Sequence, residues 1–342
     1  MTQVSELNCS TRTSGISARV RVGVIGGGFF AQYNHIPCLL ARPDVYLAWI
    51  LDQDPNRLNA ITRMYGVKGV PVSKLDGSLS EVDVVLLSVP YGVRAEYYDL
   101  CARLGCHVYV EKPFARSIAE HDDIAARFSS GAITVGFNRR YYKNLHIIKQ
   151  VIADRMFGAL RDVAIRQGFF SLSGMSGFRS DARLSGGGVL IESGIHLLDS
   201  ALEATCAEEI RIDNVGMVAR EGIDYHTEAT GRLVHGGETA SLSIEISCLQ
   251  NFSSGIWFGF DGAVLHYPMS PQEPVTLRDR ENRVRGRLDL DVGGARSVAE
   301  SLQMIWQGCL ENRRQGGTRT ITPDDARLTS GALEALYAGA AG

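Results

Sequence analysis

Lysine is scarce in this chain: only Lys68, Lys74, Lys112, Lys143 and Lys149 occur among 35 basic residues, and the rest are arginine. Neither sign of charge dominates, with a formal net charge of -3. That excludes a broad basic surface for nucleic acid and an acidic tail. No apolar run approaches the roughly 18 residues of a membrane span. The segment 1–19 is rich in Ser and Thr and has neither the basic start nor the apolar centre of a secretory signal. It reads as a flexible tail. The seven cysteines (Cys9, Cys38, Cys101, Cys106, Cys206, Cys248, Cys309) are odd in number and include no C-x-x-C pair. A disulfide framework and a structural zinc site are disfavoured, and a reducing, cytoplasmic setting is expected.

What is present is apolar bulk and glycine. Hydrophobic residues make up 45% of 342, with 37 glycines. That length suits two domains. From Arg19 to Asn138 short β-branched runs alternate with helical stretches. Arg19–Ile25, Val45–Leu51, Val82–Val89, His107–Val110 and Ala132–Gly136 read as strands. Phe29–Arg42 reads as a helix kinked or broken at Pro37, followed by helices Pro55–Tyr65, Glu96–Leu104 and Ile118–Phe128. Alternation of this kind predicts βαβ units and a parallel, doubly wound sheet. Beyond Asn138 the texture changes to longer strands joined by hairpin turns such as His235-Gly-Gly237 and Asp261-Gly262. Helices are expected near Leu145–Arg155, Gly186–Leu202 and Ser297–Arg313. The predicted organisation is a tail at 1–19, a nucleotide-binding α/β domain at 20–138, and an α+β domain with a large, mainly antiparallel open sheet at 139–342.

Three motifs carry chemistry. Gly26-x-Gly28-x-x-Ala31 lies between the first strand and its helix. The first glycine permits a tight turn, the second admits a pyrophosphate to the backbone, and Ala31 allows close helix packing. Asp52 follows Ala31 by 21 residues, at the end of the next strand, where a carboxylate would hold the adenosine ribose. This favours NAD, while Arg57 nearby leaves NADP open. Phe29, Phe30, Pro90 and Glu111 border the same crevice. The second motif, Glu111-Lys112-Pro113, ends a parallel strand, so Lys112 is expected to face the cofactor, or else to lie on the surface before the next helix. In the third, Gly186 to Asp199, a helix would place Glu192, His196 and Asp199 on one face. A histidine beside a carboxylate can act as a general base, or can simply be a satisfied core residue. No third ligand completes a metal site.

Together these residues resemble the Gfo/Idh/MocA family, the glucose–fructose oxidoreductase and inositol dehydrogenase group. The similarity runs from about Arg21 to Asp325 and rests on Val24-Ile-Gly-Gly-Gly28, His35, Pro37, Asp52, Val84–Pro90, Gly105–Ala115, Gly136–Arg140 and Gly186–Asp199. The resemblance implies an N-terminal Rossmann domain and a C-terminal sheet that often pairs two copies, hence a homodimer or homotetramer. It implies that Lys112 holds the substrate hydroxyl and cofactor ribose, that the Lys112–Pro113 bond is often cis, that His196 is the acid/base, and that residue 192 assists it. The family usually has Asp where Glu192 stands. A family His appears here as Arg94, which leaves two readings open: a contact to an anionic substrate or phosphate, or a surface residue.

The reaction expected is NAD(P)-dependent hydride transfer at a secondary alcohol or ketone of a sugar, cyclitol or nucleotide-sugar. Arg139, Arg140, Tyr141, Arg179, Arg183 and Asp199 are candidate substrate contacts, the guanidinium groups being suited to phosphate. Two alternatives remain open: a non-catalytic NAD(P)-binding regulator, and an imine or C=C reductase on the same fold. No nucleic-acid or membrane partner is expected.

Overall fold

The computed structural model describes residues 19–75, 82–171, 176–279, 281–315 and 320–340. The tail expected at 1–19 lies, apart from Arg19, outside the described residues. Six short strands build the first sheet: Val20–Ile25 (β1), Val45–Leu51 (β2), Gly69–Val70 (β3), Val84–Leu87 (β4), His107–Val110 (β5) and Ile133–Val135 (β6). All pairs are parallel, in the order β3-β2-β1-β4-β5-β6. Val22, Val24, Val84 and Val108 are fully buried, as strands covered on both faces require. The order reverses between β1 and β4, so a crevice opens beyond their carboxyl ends.

Of the kink or break expected at Pro37, the break does not occur. A widened turn, Ala31–His35, runs directly into Ile36–Leu40 (α1), and the Ile36 N–H donates to the Ala31 carbonyl five residues back. Pro37 has no N–H to give, and the wider turn accommodates that loss without ending the helix. Pro55–Tyr65 (α2) starts on Asp54, whose side chain accepts from the Asn56 and Arg57 N–H groups, and ends at Gly66 in the left-handed region. Arg94–Arg103 (α3) and Ile118–Ala126 (α4) complete the first unit.

The second sheet has eight strands: Leu160–Gly168 (β7), Glu209–Arg220 (β8), Ile223–His235 (β9), Glu238–Ser247 (β10), Phe252–Phe260 (β11), Val264–Pro268 (β12), Val275–Arg278 (β13) and Val284–Leu288 (β14). Their order is β14-β13-β12-β11-β7-β10-β9-β8. Only β7 and β10 pair in parallel. Alternation within β10 buries Leu242, Ile244 and Ile246 and exposes Ser241 and Ser243, so one face packs and the other looks outward. Helices Lys143–Ala153 (α5) and Ile195–Thr205 (α6) cover the packed face.

Two further helices, Val298–Gln315 (α7) and Pro323–Gly339 (α8), return to the first unit. There the Val135 N–H donates to the Ile321 carbonyl at 2.8 Å, and Thr320 and Thr134 hydroxyls meet at 3.0 Å. No helix among the described residues is long and apolar enough to cross a membrane.

Candidate active site

The glycine turn is shaped from both sides. Gly26 has φ +97°, and a Cβ there would lie 2.3 Å from the Ser88 carbonyl oxygen. Only glycine fits that turn. A Cβ on Gly27 would meet Ile61 at 2.5 Å. Gly28 differs: nothing in the protein lies within 4 Å of a Cβ there. The fold itself therefore does not demand a glycine at 28, and the open space sits where the helix starting at Phe29 presents first-turn N–H groups without intrahelical acceptors. Phe29 is 77% exposed beside it. Asp52 is buried, accepting from the Gly27 N–H (2.9 Å) and the Asp54 N–H (2.8 Å). Arg57 reaches the same Asp52 oxygen at 3.4 Å and Asp54 at 3.3 Å. These residues fit a dinucleotide: an open phosphate cradle at 28–30 and an oriented carboxylate at Asp52.

Across the crevice, the strand-end turn Glu111-Lys112-Pro113 is held from beneath. The Lys112–Pro113 peptide is cis, as the resemblance implies. Lys112 Nζ donates to the Glu192 carbonyl at 2.6 Å. Burial pushes the Lys112 ammonium below its ordinary range; Glu192 and Glu111 oppose that shift, while Arg94 and Arg139 add to it. Glu111 does not turn toward the cofactor crevice. Its Oε1 lies 2.8 Å from His35 Nε2. Trp306 Nε1 donates to His35 Nδ1 at 3.0 Å. An indole N–H can only donate, so Nδ1 must accept and the proton of a neutral imidazole sits on Nε2, facing Glu111.

Arg94 fits neither open reading. It is 4% exposed. Its guanidinium donates to the carbonyls of Val89 (3.2 Å), Glu111 (2.5 Å), Lys112 (3.3 Å) and Pro113 (2.5 Å). Every hydrogen bond of its guanidinium among the described residues goes to backbone of the crevice wall, so it has no fork left over for a phosphate.

His196 stands on α6, just after a widened turn at Leu190–Gly194. The start of this helix is fixed by a residue that sequence reading misses. Asp224, fully buried at the start of β9, accepts from the Gly188 N–H (2.5 Å), the Leu190 N–H (2.8 Å) and the Tyr337 hydroxyl (2.7 Å). A Cβ on Gly188 would come within 1.9 Å of the Asp224 carbonyl oxygen. No local signal marks Asp224, because the N–H groups it accepts from lie 36 and 34 residues earlier. His196 Nδ1 is buried with no hydrogen-bond partner among the described residues, and one Arg139 nitrogen, Nη1, is in the same condition. Burial first, then the charges of Lys112 and Arg139, hold the His196 imidazole neutral, well below its ordinary pKa.

Glu192 does not make the expected pair with His196. Its carboxylate takes Arg179 Nε at 2.7 Å instead. A guanidinium is a stronger partner for a carboxylate than a neutral imidazole four residues along a helix. Asp199 and Arg140, both expected at the substrate, are bound to each other: two nitrogens of Arg140 reach Asp199 at 2.7 and 3.0 Å, a third reaches Glu203 at 3.0 Å, and the Thr329 hydroxyl donates to Asp199 at 2.8 Å. Asp199 is 1% exposed, so this network ties α6 to the rest of the fold and leaves no free acceptor for substrate. Tyr141 lines a different groove, with Arg42, Met304 and Gln307. Arg183 pairs with Asp181 and points to solvent, its side chain 90% exposed. Of the six expected substrate contacts, Arg139 has an unpartnered buried nitrogen and is electrostatically coupled to both Lys112 and His196; Arg179 reaches the site through Glu192.

Residues 20–137 match the profile described as "Oxidoreductase family, NAD-binding Rossmann fold" (GFO_IDH_MocA). Among curated relatives, a putative UDP-kanosamine synthase oxidoreductase subunit of Amycolatopsis mediterranei is 28% identical over 187 residues, 53% of this chain and 50% of that protein. The dTDP-3,4-didehydro-2,6-dideoxy-alpha-D-glucose 3-reductase of Streptomyces antibioticus is 26% identical over 192 residues, 54% of this chain and 57% of that one. The chain thus spans about half the length of the curated relatives it matches. The solved WlbA dehydrogenase of Bordetella pertussis, in complex with NADH and UDP-GlcNAcA, shares the fold with a TM-score of 0.78 at 17% identity, covering 95% of this chain and 96% of that one.

Proposed function

We propose that this protein is an NAD(P)-dependent dehydrogenase or ketoreductase, a reading supported by the match of residues 20–137 to the NAD-binding oxidoreductase profile. Its substrate would be a secondary alcohol or ketone on a sugar, cyclitol or nucleotide-sugar. The observation that carries the reading is the convergence of Lys112 and His196 on one crevice: the charge of Lys112 lowers the proton affinity of His196, and the buried His196 Nδ1 has no partner among the described residues. The relatives named as sugar-nucleotide reductases and the fold shared with WlbA support the substrate class.

When bound, the dinucleotide supplies the hydride acceptor or donor at its nicotinamide. The Gly28–Phe30 turn would take its pyrophosphate and Asp52 its adenosine ribose. Lys112 would hold the substrate oxygen and stabilise the charge that develops there, in a site where burial strengthens electrostatics. His196, kept neutral, would take the hydroxyl proton in oxidation or return it in reduction. Arg139 would orient the substrate. Glu192, engaged by Arg179, acts through its backbone carbonyl, which aims Lys112 Nζ. The outward face of the second sheet, carrying Ser241 and Ser243, is our candidate for pairing two copies.

The test is absorbance of NADH or NADPH with free sugars, inositols, sugar phosphates, nucleotide-sugars and their keto forms. Turnover is expected with one class and is expected to fall roughly 10²–10⁴-fold in Lys112→Ala and in His196→Ala, with cofactor binding retained. A panel silent in both directions from a protein shown to bind NADH refutes the reading, and so does unchanged turnover in Lys112→Ala.

A further inference from the structure

Arg94 is a costly residue for the fold to keep where it is. A guanidinium buried to 4% exposure must have its hydrogen bonds met inside the protein. Here they are met by carbonyls alone, at Val89, Glu111, Lys112 and Pro113. No carboxylate is bonded to it among the described residues. The charge therefore stays uncompensated by a direct partner, directly beneath Lys112. A residue needed only to fill space or close the turn could be neutral. Two features follow from the geometry. The planar fork joins the end of β4 to the turn after β5, so the two walls of the crevice share one clamp. A fixed positive charge also lies under the single lysine of that crevice.

We propose that Arg94 is a positioning residue for Lys112: it fixes the Glu111–Pro113 turn by bonding three consecutive carbonyls and holds a fixed positive charge against that turn. This rests on the reading of Lys112 given above. The groups that face Lys112 act in a consistent pattern. Glu192 and Glu111 favour the ammonium; burial, Arg94 and Arg139 oppose it, and His196 remains neutral beside it. Glu111 is partly occupied by His35 and Glu192 by Arg179, so neither is free to close on Lys112. A lysine with weakened proton affinity donates a stronger hydrogen bond to a developing alkoxide.

Only five lysines occur in the chain, which makes the proposal measurable without any substrate. Trace labelling of the NADH-bound protein with acetic anhydride across pH, read peptide by peptide, reports when each amine loses its proton; the other four lysines are internal controls. In Arg94→Met the Lys112 midpoint is expected to move to higher pH, because an opposing positive charge has gone. In Arg94→Lys the charge remains and the fork is lost: the Lys112 midpoint should stay near that of the wild type, while kcat falls roughly 10²-fold with KM little changed. An unmoved Lys112 midpoint in a folded Arg94→Met overturns the proposal. Should Arg94→Met not fold, Arg94→Gln is labelled in the same way, and an unmoved Lys112 midpoint there overturns it. The labelling result is independent of the sugar panel, so failure of this proposal and failure of the functional reading are distinguishable.

Discussion

Replacing Asp224 should loosen the helix that carries His196 while leaving the dinucleotide turn intact. In Asp224→Ala three donors lose their acceptor: the Gly188 and Leu190 N–H groups and the Tyr337 hydroxyl. Loss of the capping bond costs about 1 kcal/mol. A second buried N–H left without an acceptor adds roughly 1–3 kcal/mol, and the half-buried Tyr337 hydroxyl adds about 1 kcal/mol at the low end of that range. The sum is about 4 kcal/mol. For a unit of this size each kcal/mol moves the melting midpoint by roughly 2–4 °C, so a fall of about 10 °C is expected by circular dichroism. Asp224→Asn keeps one acceptor but points an amide N–H₂ at a donor, and should fall midway. Tyr337→Phe removes one donor and leaves the carboxylate two partners, so it should cost only about 1 kcal/mol. In all three the Kd for NADH should hold, because the Gly26–Phe30 turn lies on the other unit. Melting of Asp224→Ala within about 2 °C of the wild type would refute the capping argument.

Two further outcomes follow from the geometry. Gly28→Ala should melt like the wild type but bind NADH at least tenfold more weakly, whereas Gly26→Ala, with its Cβ 2.3 Å from the Ser88 carbonyl, should lose stability; equal NADH affinity in Gly28→Ala would contradict the phosphate cradle. The lowered pKa of His196 also makes stability pH-dependent: below about 6.5 the unfolded chain takes up a proton that the folded site refuses, so stability falls as pH drops from there toward the lower folded value. His196→Gln should flatten that decline between pH 7 and 5 in urea titrations, and an identical slope in both proteins would count against a neutral, buried imidazole.

What the sequence disclosed was local. The β1–turn–helix unit, Asp52 and the Glu111-Lys112-Pro113 strand end are legible because each motif spans a few consecutive residues and sits at a fixed place in a βαβ unit. What stayed hidden depends on partners distant in the chain. Asp224 serves a helix residue 34 positions earlier; Trp306 reaches back to His35 across 271 residues. Asp199 looked free on a helical wheel, yet a wheel does not show that Arg140 faces it. α8 had a readable start, Thr322-Pro323-Asp324-Asp325, which forms a capping box, but its small, mixed residues give a weak periodic signal. Strands β13 and β14 are short and Arg-rich, so neither alternation nor apolar content announces them.

The contacts of α7 and α8 with the first sheet set an order on biosynthesis. A ribosome delivers the glycine turn, Asp52 and Lys112 early. The indole that orients His35, and through it Glu111, arrives nearly two hundred residues later, together with the strand-edge bond from Val135 to Ile321. A nascent chain stalled after residue 137 would hold every part of the nucleotide cradle and still lack the backing for the Glu111–Pro113 turn. Support for the Glu111–Pro113 turn is thus deferred until the chain has closed on itself, so truncated products should hold that turn less firmly than the full chain does.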